Sequence, residues 1–490
     1  MKSYKKNSNK FLLQIVAMLL IASTSCQKVL DINKDPNNPS SANPEQLLPA
    51  AQVELATSLG NNYAFLSSMW AQYWTNGTVV SATPVEFFTL VGGDVNGSYS
   101  RVYFRSLQDL SELIKGNQPI YAGMAKILSA YIYQQLVDLH GDVPFSEALK
   151  GDLADGGIVT PKFDKASDVY AALIPLIDDG VDNLNATGAT VKKPGDDDLI
   201  YKGNIANWIA FANTLKLKIL TRQSIADPTK KIEAQDLLTS GITFIDGSNS
   251  AQIEFSGSSK GYNNPLFARF ESRDATKMYY RASQTSLRIL NTLNDPRIVK
   301  IYKPGTDAID NSNGGIEQGE SNNVPYKATA NTKYAEPNPT YVYNAATPYF
   351  LISPWESKFL QAEILNDSTL WAQAIDLSFS YYEVTSSLSD YINNLPAGYT
   401  WTNNSLKAIA IQKWISMNGL QMTEGWIETR RFDSPLGIIF RGVGGIFHSP
   451  SESSLGTNNF PSLFVYPNTE VQYNPNTPSR VVTDKVFWDN

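Results

Sequence analysis

One cysteine, Cys26, and two histidines, His140 and His448, are the only thiol and imidazole groups in this chain of 490 residues. Zinc sites and Ser-His-Asp triads draw on such side chains, so most hydrolytic and metal-dependent chemistry lacks material here. Nothing calls for a metal or another cofactor. Paired carboxylates remain, and a glycosidase needs no more than two of them. The densest acidic cluster, Asp196-Asp197-Asp198, follows Lys192-Lys-Pro-Gly195 and reads as a solvated turn, with neither a catalytic nor a calcium role assigned. The aromatic residues offer more. Tyr262, Phe267 and Phe270 share one run with Asn263, Asn264 and Arg269, so rings stand beside hydrogen-bond donors in a segment too polar for a core. Such a mixture can stack on the apolar face of a sugar while holding its hydroxyls.

Those side chains need elements to position them. A helix start is expected at Asn43-Pro44, and Tyr63, Leu66, Trp70, Tyr73 and Trp74 then fall at helical spacing. An aromatic stripe of this kind usually packs a core. The alternative for Trp70 and Trp74 is a ligand-facing role, because the stripe ends just before Asn76-Gly77. Met124, Ile127, Leu128, Tyr131, Ile132, Leu136 and Leu139 make one apolar helical face that Gly141 and Pro144 close. Asp164 is placed to cap the next helix, with Leu173, Ile177, Val181 and Leu184 inward and Pro175 as a kink. Ile205, Trp208, Ala212, Leu215 and Ile219 mark a third. From 251 to about 349 Ser, Gly, Asn and Pro dominate, which predicts loops and short strands. Helical patterns resume over Pro354–Glu363, Trp371–Ile392 and Leu406–Met417, the last closed by Gly419. The expected fold class is mostly α, built of tetratricopeptide-like helical pairs in an α-α superhelix with long loops and a few short strands.

The first ten residues hold four lysines and no acid, and Phe11 to Ala22 is an apolar run broken only by Gln14. This reads as a signal peptide over 1–25, its apolar core too short for the roughly 20 residues that span a bilayer. Cys26 follows directly, in Ile21-Ala-Ser-Thr-Ser-Cys26, and reads as the lipidated first residue of a bacterial lipoprotein. Ordinary secretory cleavage after Ser23-Thr24-Ser25 is the alternative. Residues 26–42 then form a polar tether, and 43–490 one domain. Losing 1–25 removes those four lysines and no other charge, taking the formal net charge from -7 to -11. An acidic mature protein argues against nucleic acid as a partner.

Several ordered strings carry a family resemblance. Ala125-Lys-Ile-Leu-Ser-Ala-Tyr-Ile-Tyr-Gln-Gln-Leu-Val-Asp-Leu-His-Gly-Asp-Val-Pro-Phe145 resembles the helix and turn of the SusD/RagB family. Asp198-Leu-Ile-Tyr-Lys-Gly203 with Trp208, Asn294-Asp-Pro-Arg297, Gly314-Gly-Ile-Glu-Gln-Gly319, Gln412-Lys-Trp414, Glu428-Thr-Arg-Arg431 and Phe487-Trp-Asp489 follow in the family's order. His140 departs from it, standing where tyrosine is common. The resemblance implies a lipid-anchored, non-catalytic protein on the outer leaflet of the outer membrane. Such a protein captures oligosaccharides, or in some members peptides, and delivers them to a SusC-like TonB-dependent transporter. Arg430 and Arg431, beside Glu424 and Glu428, are expected to form structural ion pairs. Cys26 is the expected lipid attachment site, and Trp70, Trp74, Tyr262, Asn263, Arg269 and Phe270 are the expected ligand contacts. Peptide capture by the same architecture and a surface glycosidase are the competing functions.

Overall fold

Proline and glycine punctuate the longest helix, Pro119–His140. Pro119 occupies the first turn, where its missing N–H costs nothing, and Gly141 ends the helix at φ +81° with its N–H bonded to Val137 O at 2.8 Å. Nearly every side chain between them is buried, because neighbours cover the helix on all sides. The structure is a computed structural model that describes residues 43–76, 83–259, 261–269, 280–305, 334–433 and 439–489. Two units divide the chain, Met1–Gln46 and Leu47–Asn490. Of the first, only the start of the Pro44–Ser58 helix is described.

Helices of the second unit pack as successive pairs: Pro119–His140 with Ala166–Leu184, Ile205–Gln223 with Pro228–Thr239, Pro354–Leu365 with Ser368–Tyr381, and Ser405–Met417 with Met422–Arg431. The first pair closes on two glycines. A methyl group on Gly123 would meet Gly180 O at 2.6 Å, and one on Gly180 would meet Ile127 Cγ1 at 2.9 Å. Gly123→Ala would gain about 1 kcal/mol of helix propensity. The clash is with backbone, which cannot rotate away, so overpacking wins. We expect a net loss of about 1–3 kcal/mol in urea unfolding.

Three local expectations need correction. Asp164 does not cap the second helix, whose N-cap is Lys165. Its carboxylate instead accepts from Phe145 N at 3.1 Å, Ser146 N at 2.7 Å and Ser146 Oγ at 2.8 Å, tying down the turn after Gly141. The helix expected over Trp371–Ile392 breaks after Tyr381, where Glu383 takes φ +51°, and restarts as Leu388–Asn393. Asp198 is no solvated residue. It is fully buried and accepts from Gln52 Nε2 at 2.9 Å, Gly203 N at 2.9 Å and Trp208 Nε1 at 2.7 Å, which offset the cost of burying a carboxylate.

The 251–349 stretch supplies short strands, as its composition suggests. Trp74–Asn76 pairs antiparallel with Tyr280–Ala282, with Trp74 opposite Ala282. Ala251–Ile253 pairs with Tyr349–Ile352, and Tyr302–Lys303 with Glu336–Pro337. It also holds a nine-residue helix, Gln284–Thr292, that composition hid.

Where the helical pairs converge, the core is ionic. Lys218 pairs with Glu356 at 2.9 Å and Glu424 at 2.8 Å, Lys413 with Glu428 at 2.9 Å, and Arg431 with Glu363 at 2.6 Å and Glu428 at 2.8 Å. Arg222 joins Asp138 at 3.2 Å and bonds both Glu424 and Glu428. Arg430 takes no part in these pairs. It donates to the Asp138 and Ser462 carbonyls and lies against the rings of Trp426 and Trp488.

Candidate functional site

The run singled out by its composition stands on a fixed base. Asn264 Oδ1 accepts from Leu266 N at 2.9 Å and Phe267 N at 3.2 Å, capping the short Pro265–Ala268 helix. Its Nδ2 donates to Thr347 O at 2.9 Å, and Asn61 Nδ2 donates to Pro265 O at 2.8 Å. At the far end the Arg269 guanidinium lies 4.4 Å from the Phe65 ring centroid and reaches Asn61 Oδ1 at 3.3 Å. Asn263 is buried beneath the turn. Tyr262 is the exception, at 64% exposure, although its own backbone bonds to Gly257 and Ser259. A large ring is thus held out to solvent by a loop pinned on both sides.

Below it lies an aromatic stack. Phe267 meets Tyr343 at 5.5 Å, Tyr343 meets Trp74 at 5.7 Å and Tyr280 at 5.4 Å, and Tyr280 meets Trp74 at 5.2 Å. Trp74 therefore belongs to the same assembly as the Tyr262 loop, but as its floor. It is 0% exposed and Trp70 is 2% exposed. Trp70 donates to Val85 O at 2.8 Å and packs edge-on against Trp426 at 5.1 Å. The helix that carries Trp70 ends there and packs against Met422–Arg431. Trp74, expected on the same helical stripe, lies in the Trp74–Asn76 strand against Tyr280 and Tyr343. Neither therefore offers a ligand any surface, and the ligand-facing alternative does not fit the geometry. Phe270 and Cys26 lie outside the described residues.

Composition did not reveal the polar groups beside this stack. Glu86 is fully buried and accepts from Asn76 Nδ2 at 2.7 Å, Asn76 N at 3.2 Å and Thr83 N at 3.0 Å. The available clue was Thr83-Pro-Val-Glu86, the pattern of a capping box. Arg281, across the ladder from Thr75, is buried and lies 3.7 Å from Glu336. Burial pulls its guanidinium below the usual range, against the pull of Glu336.

Among the described residues, the closely spaced carboxylates of the core are engaged by lysine and arginine and are buried. No three His, Cys, Asp or Glu side chains there converge as a metal site. A cavity of about 40 Å³ beside Gln421 and Glu424 has room for water alone. Two larger hollows among the described residues are of ligand size. One of about 560 Å³, at Asn291, Lys300 and Glu383, has no aromatic ring in its wall. The other, of about 430 Å³, has three tyrosines.

A family of SusD-like proteins, described as starch-binding and associating with the outer membrane, has a profile that matches residues 36–448. Among solved structures the fold is similar to that of a chitin-binding protein, with TM-score 0.72 and 23% identity over 91% of this chain and 100% of that one. A SusD/RagB family protein from Bacteroides thetaiotaomicron aligns with TM-score 0.73 and 20% identity, over 92% of this chain and 99% of its own. A SusD homolog from Bacteroides uniformis gives 0.71 and 19%, over 91% and 99%. No curated protein sequence matches the chain.

Proposed function

Because this chain belongs to the SusD-like family, we propose that it captures oligosaccharides at the cell surface and passes them unaltered to a SusC-like TonB-dependent transporter. What carries the ligand part of this reading is the ring of Tyr262, 64% exposed on a loop pinned at both ends. An exposed ring gains by covering the C–H face of a pyranose, and a loop already ordered loses little entropy when the sugar arrives. Arg269 and Asn61, joined to each other nearby, supply polar groups for hydroxyls. The family's description as starch-binding, and the chitin-binding protein of similar fold, support the class of ligand. Titration calorimetry of the full chain with starch- and chitin-derived oligosaccharides tests the assignment. Tyr262→Ala is expected to weaken binding by about 1–3 kcal/mol while leaving the melting temperature unchanged. Unaltered affinity would move the ligand site elsewhere.

The family's description places its members at the outer membrane, and no helix among the described residues is long and apolar enough to cross a membrane. Lipid on Cys26 would supply the attachment. The apolar run before it and the polar tether after it support this. Cys26→Ser is expected to release the protein from outer-membrane fractions of cells that lack the transporter. Retention of the serine variant there would remove the anchor from the account.

A further inference from the structure

The hollow of about 430 Å³ shares no lining residue with the Tyr262 loop and lies within the ~300–1,000 Å³ range of small-ligand sites. The Gly92–Arg101 helix contributes Tyr99, the wide turn after it Tyr103, and the Asn468–Tyr473 helix Thr469, Glu470 and Tyr473. Some of its polar groups are unspent. Tyr99 is 1% exposed and lies beside Tyr103, whose hydroxyl donates to Pro144 O at 2.8 Å and accepts from Tyr99. The Thr469 hydroxyl is buried without a partner. Glu470 has no ion pair among the described residues, and burial pushes its carboxyl up against the restraint of Asn474. Each buried polar group left unmatched costs about 1–3 kcal/mol. Solvent could satisfy them, but the apolar rim would remain bare. There Tyr473 is 71% exposed, with Val159 exposed beside it.

The chemistry of these groups selects the occupant. A hydroxyl must both give and receive, and the Thr469 proton needs an acceptor. An ammonium or guanidinium would satisfy Glu470 but could not accept from Thr469. A sugar hydroxyl answers both while the ring's C–H face covers Tyr473.

We propose that this cleft is a second saccharide subsite, taking one or two pyranose units and separate from the Tyr262 surface. It goes beyond the function proposed above and does not depend on it.

Saturation-transfer NMR tests it on the full chain in a sugar-free detergent. The probes are the methyl glycosides of glucose, galactose and N-acetylglucosamine. At least one should receive magnetisation, with its Kd raised about tenfold or more by Tyr473→Ala and by Glu470→Gln. Tyr473 is exposed and Gln conserves the volume of Glu, so both variants should melt with the parent. No transfer to any probe, or transfer unaffected by both substitutions, would overturn the subsite. So would loss of the signal with Tyr262→Ala, which would assign the probes to the other surface. Failure of the Tyr262 reading shows separately, as unchanged oligosaccharide affinity in that variant.

Discussion

Arg222→Met should cost the fold about 3–5 kcal/mol, because it strips three buried carboxylates of a shared cation. Arg222 is 1% exposed and sits among Asp138, Glu424 and Glu428. Burial pushes the Glu424 carboxyl up, yet Arg222, Lys218 and Lys413 outweigh it and hold the group at about 2. Asp138 shows the opposite balance, with burial raising it further than Arg222 lowers it. Methionine matches much of the arginine stem in volume, so the loss would report charge rather than a cavity. Urea unfolding gives the number. Adding Glu424→Gln to Arg222→Met should cost less than the sum of the two single changes, since the second removes a charge that has already lost its arginine and keeps only Lys218. A loss under about 1 kcal/mol for Arg222→Met would show that solvent or rearrangement compensates the network.

His140 should make the protein acid-sensitive by itself. Its ring is fully buried among Tyr63, Tyr99, Phe464 and Tyr466, with Nε2 at 2.8 Å from the Tyr63 hydroxyl. Burial lowers its pKa from 6.5 to about 3, against backbone contacts that raise it. Above pH 6.5 the ring is neutral in folded and unfolded chains alike, so stability is unaffected. As pH falls below 6.5 the unfolded chain binds a proton that the folded one refuses, and about 1.4 kcal/mol is lost per pH unit. The loss is complete near pH 3, at roughly 5 kcal/mol. His140→Phe should lower stability at neutral pH, since the Tyr63 hydroxyl loses its partner, but should flatten this acid limb. Urea midpoints of both proteins between pH 7 and pH 4 separate the cases. Parallel slopes would acquit His140.

The helical scaffold was readable because its signals are local. Pro119 and Gly141 bracket one apolar face, and Gly419 separates Ser405–Met417 from Met422–Arg431 with φ +84°. The ionic centre was much less readable. Lys218 and Arg222 sit four apart within the apolar helix that also carries Leu215 and Ile219, yet their partners come from residues 138, 356, 424 and 428. Only the Arg431–Glu428 pair, three residues apart, was within reach of a local pattern. Asp198 misled for a similar reason. A run of three acids looks solvated until Gln52, far earlier in the chain, and Trp208 are folded over it. In the candidate site, the polar company of Tyr262 announced its exposure, whereas Trp70 and Trp74 belong to a stripe whose spacing fits core and surface equally. Burial decides between those, and burial is a property of the whole fold.

The central claim is capture without cleavage. It is tested most directly by passing the full chain, preincubated with starch- and chitin-derived oligosaccharides, through a size-exclusion column and weighing the co-eluting ligand by mass spectrometry. Capture at the Tyr262 surface predicts an oligosaccharide that travels with the protein at its original mass, and much less of it with Tyr262→Ala. Shortened products, or no oligosaccharide travelling with the chain, would contradict the account.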